Sequence, residues 1–367
     1  MEVPLPILVQ LREKMVEETF FNTANFPNIT WKGEGQWEVC SVSAPGFKAL
    51  GLTIAYIIIF IFSVFGNALV VFVVSYMKSG RTSTDIYLMN LAIADILFSL
   101  ALPFWAVYVY SGWIFGTALC KILSGFQEAS VYGGVFLLAC ISIDRYFAIV
   151  HAKRSLSSHK VLVKVVCGVV WVVAGMLALP VVVQRESMYL ENIGEHICFE
   201  NVTRESSDRW RVSMYILRHT VGFFLPLAIM SVCYGRTILK LYHTRNQHKH
   251  KAMRFILAVV LSFIVCWLPF NASVLIDILI RGGSLPVESC QTLYTVEKML
   301  NVPQVLAFTH CMVNPILYAF IGQKFRNQLL SALNKHGVIS KRFQQTHQKS
   351  SVNSVGSFRS RNTSVTV

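Results

Sequence analysis

Residues 122–146 read ILSGFQEASVYGGVFLLACISIDRY. This apolar stretch carries one acid, Glu128, and ends on the charged pair Asp144-Arg145 followed by Tyr146. At about 1.5 Å of rise per residue, roughly 20 apolar residues in a helix cross a hydrocarbon core about 30 Å thick. An Asp-Arg pair at the end of such a span is costly to place, so it calls for a function. Six further runs share the pattern. Residues 49–77, 165–184, 255–276 and 299–323 hold no Asp, Glu, Lys or Arg, while 86–120 and 212–235 hold one charge each, Asp95 and Arg218. The 86–120 run is too long for one span, and Ser111-Gly112 is expected to turn the chain before the next helix. Near the end of the last run stands Asn314-Pro315-Ile316-Leu317-Tyr318. The fold class is therefore an all-α membrane protein, a seven-transmembrane helix bundle.

Composition agrees. The chain has 367 residues, 54% hydrophobic and only 14% charged, with a mean hydropathy of +0.52; a soluble domain of that make-up would be unusual. Basic residues concentrate after spans 1, 3 and 5 (Lys78, Arg81, Lys153, Arg154, Arg236, Lys240 among them) and in the C-terminal tail. By the positive-inside rule these face the cytoplasm, and seven spans then put the N-terminus outside. The net charge of +14 follows this bias. Because the charges flank spans instead of lining one surface, nucleic acid is not an expected partner. The start, Met-Glu-Val-Pro-Leu-Pro, lacks a basic n-region, so no signal peptide is expected.

The chain divides into an outer tail (1–47), the bundle (48–322), a short amphipathic helix on the membrane surface (323–334) and an inner tail (335–367). The amphipathic helix is read from Lys324-Phe325-Arg326 followed by Leu329, Leu330 and Leu333. The outer tail is polar, with acids at Glu17, Glu18, Glu34 and Glu38, and reads as disordered until something binds it. The inner tail holds Ser350, Ser351, Ser354, Ser357, Ser360, Thr363 and Ser364, candidates for phosphorylation. Four cysteines, Cys40, Cys120, Cys198 and Cys290, fall outside, where two disulfides can form with three pairings open. Cys140, Cys167, Cys233, Cys266 and Cys311 fall within spans and read as small packing residues. The sequons at Asn28 and Asn201 lie outside and are expected to carry glycans; those at Asn271 and Asn362 are not.

Prolines stand mid-span at Pro103, Pro180, Pro226, Pro269 and Pro315. Each removes a backbone donor and bends its helix, so five together suggest a hinged bundle around a cavity. Asp95, about ten residues into its span, costs about 2.5–3.5 kcal/mol if ionised there. Asn67, Asn314 and His310 are its expected polar neighbours. Arg145 is expected to alternate between Asp144 and the tyrosines at the inner ends of spans 5 and 7, Tyr234 and Tyr318, which is what a two-position switch requires. Trp267 beside Pro269 puts a bulky ring at a kink. No paired carboxylates at depth, His-Glu-x-x-His site or Gly-x-Ser-x-Gly elbow occurs, so an enzyme is not expected. No Lys lies within span 7, which argues against a retinal Schiff base.

Gly66-Asn67, Leu91-Ala92-Ile93-Ala94-Asp95, Trp113-Ile114-Phe115-Gly116, Asp144-Arg145-Tyr146, Cys266-Trp267-Leu268-Pro269 and Asn314-Pro315-x-x-Tyr318 together resemble the rhodopsin-class G-protein-coupled receptors, over residues of about 48–334. The string Asp144-Arg145-Tyr146-Phe147-Ala148-Ile149-Val150-His151-Ala152 resembles the chemokine-receptor version. Trp31-Lys32-Gly33-Glu34, Leu138-Ala139-Cys140-Ile141-Ser142, Trp210-Arg211, Lys251-Ala252-Met253-Arg254 and Ala319 to Arg326 resemble the interleukin-8 receptors, CXC chemokine receptor types one and two. The resemblance implies disulfides Cys40–Cys290 and Cys120–Cys198. It implies that a CXC chemokine engages the outer tail and loop 4–5 around Glu17, Glu18, Trp31, Lys32 and Glu34. The ligand's N-terminus would then enter near Trp105, Glu128, Asp277, Arg281 and Glu288, with Arg218 added as a buried charge facing the cavity. It further implies a plasma-membrane receptor coupled to an inhibitory-class heterotrimeric G protein and to arrestin. Asp95, Asp144, Arg145, Tyr146, Tyr234, Trp267, Asn314, Pro315 and Tyr318 would carry the switch.

Departures from the family pattern are specific. Residues 1–46 contain no tyrosine, so sulfotyrosine cannot form there. Gln304 replaces a usual Glu and Ala101 the Thr of a Thr-x-Pro motif. Ser130 replaces a usual Asn, and Gly134 removes an oxygen that many receptors give sodium, which puts a sodium site near Asp95 in question. Val365-Thr366-Val367 is a weak match to a PDZ ligand. Two other functions compete. A scavenging receptor without G-protein coupling would favour an altered Asp-Arg-Tyr, and this one is intact. A transporter should show half-to-half symmetry and a line of ionisable groups across the membrane, and neither is seen.

Overall fold

The computed structural model describes residues 29–33, 36–40, 46–76, 81–150, 160–190, 195–201, 216–242, 247–281, 302–321 and 323–335, with positions 337 and 340. Side chains are described from Ala49 onward within these ranges, except at 190, 200, 241, 247–256, 277–281 and 318–324. In chain order the elements are β1 (Ile29–Gly33), β2 (Gln36–Cys40), α1 (Gly46–Tyr76), α2 (Ser83–Leu100), α3 (Leu102–Ser111), α4 (Gly116–Val150), α5 (Lys160–Gln184), β3 (Arg185–Leu190), β4 (Glu195–Glu200), α6 (Leu225–Tyr242), α7 (Gln247–Arg281), α8 (His310–Ile321) and α9 (Gln323–Lys335). A helical turn at 216–219 and a π turn at Thr220–Phe224 lead into α6.

Among the described residues six helical segments are long and apolar enough to cross a membrane, and a shorter apolar one covers Val302–Leu317. They form the seven-helix bundle. Its outward faces are apolar: Phe65 is 72% exposed and Val161 75%. Such belts are a liability in water and are stable in hydrocarbon, where each helix satisfies its own backbone. Inside, α4 is the central helix, packed against α2, α5 and α6. Leu91, Leu137, Leu138, Ile141, Met230 and Phe270 fill its surroundings.

Breaks occur where the sequence demands them. Thr82 opens α2 with a capping box, accepting from Asp85 N–H while the Asp85 carboxylate accepts from Thr82 N–H at 2.6 Å. The second span is two helices. Pro103, in the first turn of α3, cannot donate to an α2 carbonyl, so the ladder stops at Ala101 and restarts. α3 closes at Gly112, as Ser111-Gly112 leads one to expect. Pro180, Pro269 and Pro315 lie inside α5, α7 and α8.

Two hairpins lie outside the helices. β1 pairs antiparallel with β2, Trp31 opposite Glu38, where composition alone reads as disordered. The apolar-polar alternation of Ile29-Thr30-Trp31-Lys32 and Trp37-Glu38-Val39 is the strand signal that reading passed over. β3 pairs with β4, Ser187 opposite Cys198. At the inner end α9 lies against α1: Ala332 is buried, Phe325 packs on the core, and Lys335 Nζ sits 5.2 Å from the centre of the Tyr76 ring.

Candidate functional site

The outer end of the bundle is held rigid by the second hairpin. A disulfide joins Cys120, at the top of α4, to Cys198 on β4. Trp113 N–H donates to the His196 carbonyl at 2.7 Å, Cys198 N–H to the Tyr108 hydroxyl at 3.3 Å, and Lys121 Nζ to the Val183 carbonyl at 2.7 Å. Beneath it Trp105, Tyr108 and Trp113 form one aromatic cluster, with the Trp105 and Trp113 rings 5.2 Å apart. Trp105 is buried and donates from Nε1 to Gln127 Oε1 at 2.8 Å, tying α3 to α4.

Next to Gln127, Glu128 on α4 is 3% exposed and meets Arg218 Nε at 2.8 Å. A buried carboxylate of this kind requires such a counter-charge. The π turn supplies it. An extra residue in the turn rotates whatever precedes it by about 100° relative to α6, which brings Arg218 and His219 round towards α4 and α7. Gly222, inside the turn, permits the close approach: a Cβ there would lie 2.9 Å from Tyr132 Cε1. Tyr132 lies beside both members of the ion pair and lines the same cavity. His219 Nδ1 contacts Asn271 Oδ1 on α7 at 2.7 Å. These groups, with Phe263, Trp267 and Phe270, line a cavity of about 30 Å³.

The middle of the bundle is a polar hub. Asn314 Nδ2 on α8 donates to Asp95 Oδ2 at 2.8 Å, and His310 Nε2 lies 3.6 Å from Asp95 Oδ1. Asn67, expected beside Asp95, instead donates to the Cys311 carbonyl at 2.7 Å and to the Ser63 carbonyl at 3.0 Å, so it ties α1 to α8. Ser63 and Ser99 complete the link around the Asp95 carbonyl. Trp267, buried beside Pro269, has its ring 5.2 Å from that of His310 and 6.0 Å from that of Phe263. Pro315 presses against α1: a Cβ on Gly66 would lie 2.8 Å from the Pro315 Cβ.

A sodium ion does not fit this hub. Hard cations want a cage of oxygens. Here one Asp95 oxygen takes the Asn314 donor and the other faces an imidazole nitrogen. The Ser130 hydroxyl turns back to the Phe126 carbonyl at 2.6 Å, and Gly134 brings no oxygen. Among the described residues no group of three His, Cys, Asp or Glu could hold a metal.

At the inner end Asp144 is buried and pairs with Arg145, whose Nε donates to Asp144 Oδ2 at 3.1 Å. Tyr234 on α6 is buried beside Ser142 and Arg145, with its hydroxyl unbonded among the described residues. Tyr146 stacks edge-on against Phe147, ring centres 5.4 Å apart.

The remaining sequence-predicted residues are placed less fully. Trp31 and Lys32 lie on β1; Asp277 and Arg281 lie in the last turns of α7 and Tyr318 on α8, with their side chains outside the described set. Glu17, Glu18, Asn28, Glu34, Glu288 and Cys290, and with Cys290 the second disulfide, lie outside the described residues. Asn201 follows β4 and donates to Glu186 Oε2 at 2.7 Å. Sequence reasoning missed Gln127, Ser63, Ser99, His219 and Asn271. His219 and Asn271 are polar residues in apolar runs, a signal that was there to be used; the π turn that aims them left none.

The profile of the seven-transmembrane receptors of the rhodopsin family matches residues 66–318. The C-X-C chemokine receptor type 1 of Oryctolagus cuniculus is 42% identical over 338 residues, 92% of this chain and 93% of that one. The type 1 receptor of Homo sapiens is 42% identical over 334 residues, 91% of this chain and 94% of its own. The Homo sapiens type 2 receptor is 45% identical over 290 residues, 79% and 80% of the two chains. The similarity runs through the bundle and the hub just described, and these relatives are receptors, not enzymes. This chain belongs to the rhodopsin family of seven-transmembrane receptors and, within it, to the C-X-C chemokine receptors.

Proposed function

We propose that this chain is a plasma-membrane receptor, N-terminus outside, that binds CXC chemokines of the interleukin-8 type and activates an inhibitory-class heterotrimeric G protein to drive chemotaxis and calcium signalling. The observation that carries the reading is the inner switch. Asp144 holds Arg145 against α4 while Tyr234, from α6, lies beside it with its hydroxyl unbonded among the described residues. Movement of α6 can therefore offer Arg145 a second partner, which is what two discrete states need.

A basic chemokine would first meet the acidic tail around Glu17, Glu18, Trp31, Lys32 and Glu34, where opposite charge speeds encounter. Its N-terminus would then descend past Trp105 towards Glu128 and Arg218, with Asp277, Arg281 and Glu288 at the rim. Cys40–Cys290 would tether the tail to the top of span 7, and Asn28 and Asn201 would carry glycans. Binding that favours the open inner face shifts the population towards G-protein engagement. Phosphorylation of the inner tail by receptor kinases would then recruit arrestin, with α9 resting on membrane lipid. The second reading, a scavenger that binds without coupling, is disfavoured by the intact Asp144-Arg145-Tyr146.

The test is nucleotide exchange on an inhibitory-class G protein in membranes expressing the full chain, across a panel of CXC chemokines. Exchange driven by interleukin-8-type members is expected. Binding without exchange at saturating chemokine would move the protein to the scavenging class.

A further inference from the structure

We propose that the Glu128–Arg218 ion pair is a lock that positions Trp267 in the ligand-free receptor, acting through waters held in the cavity it lines. The inference rests on the receptor reading above and adds to it the device that restrains the resting state.

Three observations meet at this point. The pair joins α4 to the turn preceding α6 across a buried interface, its side chains 4% and 13% exposed. It is set there by a π turn, a helix defect in which one extra residue is spent to aim a side chain. The cavity beneath it, about 30 Å³, has room for about two waters, since one needs roughly 10–15 Å³.

The cavity lining asks for those waters. Trp267 is 4% exposed, and its Nε1–H has no hydrogen-bond partner among the described residues. His219 Nε2 is likewise buried and unbonded there. Both residues line the cavity together with Glu128, Arg218 and Asn271. A buried donor left bare is costly, whereas a water that can give and take bonds satisfies it. The occupants would bridge the indole N–H of Trp267 to the charged pair, so the ring's position is coupled through them to Glu128 and Arg218.

A space of this size does not admit a peptide side chain. A ligand segment reaching this depth must therefore part the pair or push the preceding turn outward. Either movement drags α6, whose inner half carries Tyr234 beside Arg145, and removes the waters' charged anchor. Trp267 packs on His310 of the hub, which gives the displacement a packed route to α8. Tyr132, on α4, lies beside both members of the pair and lines the cavity with them.

The experiment is a double-mutant cycle in the full chain with two readouts: the unfolding midpoint in detergent and basal nucleotide exchange in membranes. Glu128→Gln and Arg218→Gln each remove one charge of the pair and leave the other buried. Each is expected to lower the midpoint by several degrees and to raise basal exchange at least threefold. The swap, Glu128→Arg with Arg218→Glu, is expected to recover more than half of both changes, and Arg218→Lys to fall between wild type and Gln. Should the swap fail to fold, the doubly neutral Glu128→Gln/Arg218→Gln supplies the cycle, expected to be milder than the sum of the singles. Additive losses would overturn the pairing. Coupled midpoints with basal exchange unchanged, in a wild type that does respond to chemokine, would make the pair a structural brace and overturn the lock. A wild type that gives no exchange with any chemokine would defeat the receptor reading instead. The lock would then be judged by the midpoint cycle together with Trp267 solvent accessibility, which must rise in both single variants.

Discussion

Replacing Asp95 with asparagine should stabilise the receptor. His310 Nδ1 lies 2.7 Å from the Ala307 carbonyl; a carbonyl can only accept, so Nδ1 carries a proton, and with the ring neutral Nε2 is left as an acceptor. Asp95 Oδ1 faces that nitrogen at 3.6 Å, acceptor against acceptor and beyond bonding range. The carboxylate thus has one short side-chain donor, Asn314 at 2.8 Å, among the described residues. Asparagine keeps an oxygen for Asn314 and turns an N–H towards His310. It removes a buried charge worth about 2.5–3.5 kcal/mol on insertion scales and adds a hydrogen bond worth about 0.5–1.5 kcal/mol. After repacking we expect a net gain of about 1–3 kcal/mol, a rise in midpoint of roughly 3–9 °C by the scaling for large domains. Leucine removes the charge but takes the acceptor from Asn314 and offers His310 no donor, and should fall about 2–3 kcal/mol below asparagine. The assay is thermal unfolding of the full chain in detergent, followed with a thiol-reactive dye that reports exposure of the buried Cys266 and Cys311. An asparagine variant no more stable than wild type, or a leucine variant equal to asparagine, would refute the reasoning.

Gly66→Ala should cost about 1–3 kcal/mol because its Cβ meets Pro315 at 2.8 Å, whereas Gly51→Ala, with nothing within 4 Å, should stabilise by about 0.4–1 kcal/mol; paired unfolding midpoints decide it. Trp105→Phe leaves Gln127 without the indole donor and should lower the midpoint by about 1–2 kcal/mol, with chemokine binding weakened in the same preparations. Asn201→Gln should remove one glycan, seen as a single step in electrophoretic mobility that endoglycosidase abolishes in wild type. Glu186→Ala, which frees the Asn201 amide from its 2.7 Å bond, should raise occupancy at that site.

The spans, the Ser111-Gly112 turn and the amphipathic α9 were legible because hydrophobic runs and glycine or proline punctuation are local signals. Asp95 with Asn314 was legible too, since an acid at depth must find a polar neighbour. Asn67 was misassigned among those neighbours: its actual acceptor is the Cys311 carbonyl, and no side-chain pattern announces a backbone group. The β1–β2 pairing hides within a tail whose charge dominates its composition. The meeting of Glu128 with Arg218 was invisible for a different reason. It depends on a π turn, which shifts register by one residue inside an unbroken apolar run and leaves no trace in periodicity. The family motifs at Asp144 and Trp267 pointed to where the switch lies, while the geometry around them supplies how it is held.

The most direct test of the central claim separates binding from coupling at Arg145. In matched membranes, interleukin-8-type chemokine binding and chemokine-driven exchange on an inhibitory-class G protein would be measured for wild type and Arg145→Ala. The account predicts wild-type exchange, lost at least tenfold in the variant while the dissociation constant changes less than threefold. Equal exchange in the two, or wild-type binding with none, would contradict it.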